Sequence, residues 1–217
     1  MDFEHLNNKV DIEAMQKNFC ALFDTSQQTE ASKLFKELDE AYQAENRVYH
    51  NFEHIQNLLI FLEQHKHGVR DLDGVVLAAW FHDVIYDTRV NDNEEKSAQF
   101  AQNYLHRLGV SPDVIMHVIA LIRSTITHEV IENDYDSAIL LDGDLGILGS
   151  SKDEYDQYAE KIRMEYSWVP EEQYRIGRKR VLESFIQRPR IYFTEDAFKM
   201  FELRARENIT REIALLS

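Results

Sequence analysis

Histidine and acidic side chains occur at two places where a metal ion could use them. The segment Tyr49–His54 carries imidazoles at His50 and His54, and His82 stands directly before Asp83. The His82-Asp83 pair follows the most apolar run of the chain, so burying it is costly unless a partner neutralises the charge. Imidazole nitrogen and carboxylate oxygen are ligands that divalent ions take from proteins. A metal ion is therefore a suitable partner.

A third place is another largely apolar segment, Leu141–Gly149, where Asp142 and Asp144 can each supply an oxygen ligand. Two histidines and two carboxylates would leave positions open for water on a six-coordinate ion, as catalytic sites require. Taken singly, each segment has a structural explanation, such as a satisfied core histidine or an aspartate that caps a helix. The three segments together favour a metal centre.

Helical periodicity accounts for the segments around these residues. Apolar spacing predicts an amphipathic helix from Thr29 to Ala44, and Asn51 is a suitable N-cap for a helix that runs to about Gln64. The run Val75–Phe81 is apolar on every side, which predicts a helix buried at the centre of the protein. Further helices are predicted at 93–108, 112–128, 136–148, 151–167, 171–187 and 195–215, with breaks at glycine, proline and asparagine residues.

No segment alternates apolar and polar residues as a strand does, and the 217 residues include only 7 glycines and 3 prolines. The sequence therefore predicts an all-α, single-domain helical bundle over 1–217. The metal core is expected at about 45–150, with the helices of 151–217 packed on it.

Charge and composition exclude several partners. The formal net charge of -15 would repel a nucleic acid polymer. The run Val75–Phe81 is the longest apolar stretch, far shorter than the about 20 residues that cross a bilayer, and Met1–Cys20 resembles neither a signal peptide nor an anchor. Cys20 is the single cysteine, which fits a reducing compartment. We expect a cytoplasmic protein with no membrane partner, and a homodimer is compatible with the sequence.

The order of these motifs resembles the HD superfamily of metal-dependent phosphohydrolases, and more closely a bacterial subgroup of predicted HD hydrolases, over nearly the whole chain. The matching segments are Tyr49–His54, Phe81–Asp87, Asp92–Ala98, Thr125–His128, Leu141–Gly149, Gly177-Arg178 and Arg188–Tyr192. The resemblance implies an HD-type helical fold and one divalent ion (Mn, Mg, Co, Ni, Zn or Fe). The implied ligands are His54, His82, Asp83 and Asp144.

Asp144 is preferred over Asp142 because the last ligand of the superfamily typically precedes a short segment like Leu145–Leu148. Small residues at Gly143 and Gly146 are expected to allow tight packing there. The resemblance further implies hydrolysis of a small phosphorylated metabolite, such as a nucleotide, by a water molecule that the ion activates.

Other polar residues are candidates for the chemistry around the ion. Asp87 lies four residues after Asp83 on a helix expected to continue, and it could orient the attacking water, as could Glu94. His50 could protonate the leaving group or bind a phosphate oxygen. His128 matches a histidine of related sequences and is expected to contact the substrate. Arg178, in the one locally basic stretch of the chain, could clamp a phosphate.

Two alternatives to hydrolysis follow from the same motifs. An HD-fold module could bind or sense a nucleotide without turnover, although the apparently complete ligand set argues against this. A dinuclear iron oxidase would need further ligands, for which only His117 and His128 are spare in the middle of the chain. If one helix spanned 112–128, these two histidines would stand three turns, or roughly 16 Å, apart and could not share an ion. One ion per chain is therefore predicted.

Overall fold

The computed structural model of the chain describes residues 10–216, and within that range the protein is built from α-helices without a β-strand. The parts of the predicted domain and of the Met1–Cys20 segment that fall on 1–9 and 217 lie outside the described residues. Ten α-helices follow one another in the order α1 Ile12–Cys20, α2 Gln28–Tyr42, α3 Phe52–His65, α4 Leu72–Phe81, α5 Asn93–Arg107, α6 Pro112–Ser124, α7 Tyr135–Asp144, α8 Lys152–Glu165, α9 Glu171–Ile186 and α10 Glu195–Leu215. The prediction of an all-helical protein is confirmed for the described residues.

Local sequence sets the start of most of these helices. The side chains of Asn51 and Asp71 accept hydrogen bonds from backbone N–H groups in the first turns of α3 and α4, and Asp134 does so for α7. Such caps satisfy amide groups that have no partner inside the helix. Ser151 begins α8 with a reciprocal capping box, in which the Glu154 side chain accepts from the Ser151 N–H.

Helices α4 and α7 are buried along most of their length and lie at the centre of the molecule, packed against each other and against α3. Trp80 and Phe81 of α4 are almost completely buried, and the Tyr42 hydroxyl of α2 donates to the Trp80 carbonyl oxygen at 2.8 Å. These three helices carry the predicted metal ligands, so the interior of the bundle determines where those ligands lie.

Four helix assignments differ from the prediction. Helix α1 was not predicted, although it buries Met15, Phe19 and Cys20 on one face. Helix α4 ends at Phe81 and does not continue to Asp87, and α6 ends at Ser124 rather than at 128. The segment predicted as one helix over 136–148 is α7 followed by a 3-10 turn, Leu145–Gly149.

The two glycines next to that turn differ in how much space surrounds them. A Cβ atom built on Gly143 would lie 2.6 Å from both Leu58 Cδ1 and Phe61 Cδ1, so α3 and α7 approach closely there, as predicted. A Cβ atom on Gly146 would meet nothing within 4 Å, so the expected tight packing at this residue is wrong. Gly146 faces open space beside α3 and α8.

The C-terminal helix is attached to this centre through a buried carboxylate. Asp142 is completely buried, and its two oxygens accept hydrogen bonds of 2.7 Å from the backbone N–H groups of Phe193 and Thr194. Thr194 is the N-cap of α10, so Asp142 joins the end of α7 to the start of α10. Its two oxygens are therefore used in holding the fold.

Among residues 10–216, no helix is both long enough and apolar enough to cross a bilayer.

Replacing Asp142 with alanine is expected to lower the free energy of unfolding by about 2–4 kcal/mol, because two N–H groups lose their acceptors at a buried site. Urea denaturation followed by circular dichroism measures this change. Asp153→Ala, which removes an exposed carboxylate from the first turn of α8, serves as the control and should change stability by about 0.5 kcal/mol or less. Equal midpoints for the two variants would show that Asp142 does not hold α10.

Candidate metal centre

The structure brings ligand atoms of His54, His82 and Asp144 within 4.8 Å of one another, and Asp83 lies beside His82. The Nε2 atom of His54 lies 3.1 Å from Asp144 Oδ1 and 3.2 Å from the Nε2 atom of His82. His82 Nε2 in turn lies 3.2 Å from Asp83 Oδ2 and 3.4 Å from Asp144 Oδ1, while His54 Nε2 and Asp83 Oδ2 are 3.7 Å apart. Both imidazoles are buried, and the two carboxylates are 14% and 12% exposed. Solvent therefore reaches only a small part of these four side chains.

The ends of three helices place these side chains. His54 lies in the first turn of α3, His82 caps the C-terminus of α4 with Asp83 in the turn that follows, and Asp144 is the last residue of α7. Helix ends are good positions for ligands, because the chain turns away and leaves room for an ion between the helices. The close approach of α3 and α7 at Gly143 brings His54 and Asp144 to hydrogen-bonding distance.

The donor set fits a divalent ion. With metal–ligand bonds of about 2.1 Å, neighbouring ligand atoms are separated by about 3.0 Å in an octahedron and about 3.4 Å in a tetrahedron. Four of the five distances above lie between 3.1 and 3.4 Å. The Nδ1 atom of His82 lies 3.0 Å from the Ala79 carbonyl oxygen, to which it can donate, and this tautomer leaves the Nε2 lone pair free for an ion. The residues present therefore suit the group that the sequence implied.

The directions of the pKa shifts in the cluster also favour a bound cation. Burial by itself would lower the pKa of His82 and raise the pKa values of Asp83 and Asp144. Attraction between the imidazole and the carboxylates outweighs burial, so the pKa of His82 is well above its ordinary value and the pKa values of both carboxyls are lowered. The two buried carboxylates thus hold positive charge between them, and a divalent ion would supply it.

A second buried network holds His50 beside the cluster. The Nδ1 atom of His50 lies 2.7 Å from Glu165 Oε2, and the ring stacks on Tyr86 at 4.3 Å between centroids. Glu165 also accepts hydrogen bonds from three backbone N–H groups of 48–50 and from the Tyr86 hydroxyl. Burial opposes a charged imidazole, yet the bond to Glu165 raises the pKa of His50 above its ordinary value. With Nδ1 engaged, Nε2 is the nitrogen of His50 left for chemistry.

Arg47 ties together the two turns that carry the ligands. Its guanidinium donates to the carbonyl oxygens of His50, Asp83 and Val84 at 3.1, 2.6 and 2.7 Å. It also lies over the rings of Tyr42 and Tyr86. These bonds satisfy carbonyl groups that are exposed where α4 ends. Neither Arg47 nor Glu165 was predicted, because a lone arginine or glutamate gives no pattern, and their partners are distant in sequence.

His128 lies at the cluster, in a turn rather than on the helix predicted over 112–128. Helix α6 ends at Ser124, and His128 follows in a turn with φ of 49°, a left-handed conformation that is uncommon outside glycine. Its Nε2 atom lies 3.2 Å from Asp144 Oδ2. Arg188 holds this turn by donating to the carbonyl oxygens of Thr127 and His128. His128 therefore stands beside the ligand Asp144.

His117 lies elsewhere. Its Nδ1 atom is 3.1 Å from Asp71 Oδ2, and its Nε2 atom is about 4 Å from the nearest oxygens of Asp134 and Asp136. These carboxylates already accept backbone hydrogen bonds, since Asp71 and Asp134 cap α4 and α7 and Asp136 accepts from the N–H groups of Arg70 and Asp71. The arrangement joins helix ends, and a role at the centre formed by His54 and His82 is not supported for His117.

Asp87 is placed differently from the prediction, whereas Glu94 lies on the predicted helix. Because α4 ends at Phe81, Asp87 is not on the helix that precedes Asp83; its side chain is 48% exposed and accepts from the Arg89 N–H. Glu94 is half-buried in the first turn of α5. Burial raises the pKa of Tyr166, and the charge of Glu94 adds a small part to that increase.

Arg178 is 8% exposed, and its guanidinium donates twice to Glu212 and once to the Tyr158 hydroxyl oxygen. All three guanidinium nitrogens are thus engaged inside the protein. This arrangement does not support the predicted phosphate clamp.

Comparison of the chain with family models, with curated proteins and with solved structures gave no match.

Glu165→Gln is expected to change how stability depends on pH. Burial would raise the pKa of Glu165, but its bonds with His50 and the backbone lower it from 4.5 to about 2. A lowered carboxyl pKa adds stability that is present above the ordinary value and is lost as the pH falls through the folded value. This group should thus contribute roughly 3 kcal/mol at neutral pH, lost between about pH 5 and pH 2.

Urea denaturation at a series of pH values tests this expectation. The difference in unfolding free energy between the natural protein and Glu165→Gln should shrink as the pH falls through that window. The control is Glu160→Gln, an exposed carboxylate on the same helix, which should keep the pH profile of the natural protein. A difference that stays constant from pH 5 to pH 2 would show that Glu165 is not the stabilising carboxylate.

Proposed function

We propose that this chain is a metal-dependent phosphohydrolase of the HD type that acts on a small phosphorylated metabolite, such as a nucleotide, in the cytoplasm. One observation carries the proposal, namely that the buried imidazoles of His54 and His82 meet the carboxylates of Asp83 and Asp144 at metal-ligand spacing. When bound there, a divalent ion would lower the pKa of a water molecule and neutralise charge on a phosphoryl oxygen.

The residues around the cluster provide what hydrolysis further needs. Hydrolysis forms a bond between a water oxygen and phosphorus, breaks the bond from phosphorus to the leaving oxygen, and transfers one proton from the water to that oxygen. His50, held by Glu165, can give a proton to the leaving oxygen and then recover the proton that the water releases. His128, beside Asp144, can contact a phosphate oxygen.

The first alternative is a module that binds a nucleotide without turnover. Such a module needs ligands for the ion but has no use for a proton donor. The His50-Glu165 pair is partly buried, with five hydrogen bonds to one carboxylate, and is adjacent to His54. This pair favours catalysis over passive binding.

The second alternative, a dinuclear iron oxidase, has one observation in its favour. Asp144 directs Oδ1 toward His54 and Oδ2 toward His128, so that it could bridge two ions. A second ion would need more protein ligands than His128 provides, and His117 is not at the cluster. Anaerobic titration that gave two iron atoms per chain, with His128→Ala losing one of them, would favour the oxidase.

The proposal is tested by supplying Mn, Mg, Co, Ni and Zn separately to metal-stripped protein and screening phosphorylated metabolites for release of phosphate. At least one metal should support hydrolysis, and His82→Ala or Asp83→Ala should abolish both metal retention and activity. His65→Ala, a histidine at the end of α3 whose Nδ1 faces the Phe61 carbonyl, is the matched control and should keep both properties. Equal metal content in His82→Ala and the natural protein would contradict the ligand assignment.

A further inference from the structure

A cavity of about 340 Å³ opens beside the metal centre, and His54 and Asp144 form part of its wall. The remaining wall comes from α3, the 3-10 turn after α7, and the start of α8. This volume lies within the range of about 300–1,000 Å³ that is typical of sites for small molecules. A phosphate at the ligand cluster would leave most of the cavity for the rest of the substrate.

Two uncharged amide side chains line the cavity. Asn57 of α3 stands one turn after His54, and Gln157 of α8 stands one turn after Glu154. Neither amide forms a hydrogen bond with another residue in the part of the chain that the structure describes. Each amide can both donate and accept, so together they can recognise hydroxyl or amide groups of a ligand.

The charges in the cavity do not suit a second anionic group. Among the described residues, Lys161 is the one cation in the wall, and it forms a 2.8 Å ion pair with Glu53. Glu154 adds a further carboxylate, which accepts from the Ser151 N–H. Away from the ligand cluster the wall therefore carries two carboxylates against one ammonium group.

The arginines near the centre do not change this balance. Arg47 and Arg188 donate to backbone carbonyl oxygens, and Arg178 is paired with Glu212. A chain of two or three phosphates carries several negative charges and is usually met by several free cations. The described residues offer none in this cavity beyond the paired Lys161.

We propose that this cavity selects phosphate monoesters whose alcohol part is uncharged, rich in hydroxyl or amide groups, and at most about as large as a nucleoside. Asn57 and Gln157 hold that part, while the single phosphate lies at the ligand cluster. This inference rests on the proposed hydrolase activity and narrows it to monoesters in preference to nucleoside di- and triphosphates.

Gly146 provides the test, since it lines the cavity and has open space in front of its Cα atom. Gly146→Leu fills part of the cavity without a clash at its Cβ. The matched control is Gly177→Leu in α9, because a Cβ atom there also meets nothing within 4 Å and Gly177 is not in the cavity wall. Gln157→Leu, at an exposed position, removes one amide and serves as a second variant.

The manganese-loaded protein is assayed with methyl phosphate, ribose 5-phosphate, adenosine 5′-monophosphate and adenosine 5′-triphosphate. The natural protein should show kcat/KM at least tenfold higher for the adenosine monophosphate than for the triphosphate. Gly146→Leu should raise KM at least tenfold for the adenosine monophosphate and leave methyl phosphate and manganese binding unchanged. Gln157→Leu should raise KM for the two larger monoesters, and Gly177→Leu should match the natural protein.

Preference for the triphosphate, or an equal effect of Gly146→Leu on methyl phosphate and on the adenosine monophosphate, would overturn the inference while leaving hydrolysis in place. Absence of hydrolysis with every ester and metal would instead contradict the proposed function. In that case calorimetric titration with adenosine 5′-monophosphate tests the cavity directly. Binding that is weakened at least tenfold in Gly146→Leu supports the inference, and no binding or equal binding to both proteins contradicts it.

Discussion

Two imidazoles and two carboxylates meet where the central helices of this protein converge, and burying them requires positive charge at their centre. Helices α4 and α7 are buried along most of their length, and α3 packs against both. The ends of these three helices place His54, His82, Asp83 and Asp144 next to that same interior. An ion or a shared proton is needed to offset the cost of removing the carboxylates from water.

The surroundings of the cluster act on its geometry more than on its charge. Arg47 holds the turns before α3 and after α4 by their carbonyl oxygens, and Arg188 does the same for the turn that carries His128. Glu165 fixes which nitrogen of His50 is free. Each of these charged groups is already hydrogen-bonded to other residues of the protein. The site therefore has rigid supports but few free cations, which is why the substrate charge that it can accept is limited.

The sequence predicted the parts of this arrangement that depend on local pattern. The apolar run of 75–81 identified the central helix. The histidine and aspartate residues of Tyr49–His54, His82-Asp83 and Leu141–Gly149 identified the candidate ligands. Helix ends were less predictable. Val84 and Ile85 continue the apolar pattern past Phe81 without a glycine or proline. The chain turns there because Arg47 donates hydrogen bonds to the carbonyl oxygens of Asp83 and Val84. A contact across 36 residues leaves no local signal.

Pairing between distant residues also explains the remaining differences. The basic stretch around Arg178 suggested a phosphate site, but Glu212 of α10 lies against it and takes up its guanidinium. The residues alone offered both Asp142 and Asp144 as ligands and the resemblance favoured Asp144; in the structure, the backbone N–H groups of Phe193 and Thr194 occupy Asp142. Both outcomes depend on where α10 packs, which the periodicity of α10 alone does not specify.

Manganese titration of metal-stripped protein, followed by electron paramagnetic resonance, shows whether one divalent ion lies among these four side chains. One tightly bound ion per chain is expected, lost in Asp144→Asn and retained in Asp142→Asn. Failure of the natural protein to bind manganese, or equal binding by Asp144→Asn and the natural protein, would contradict it.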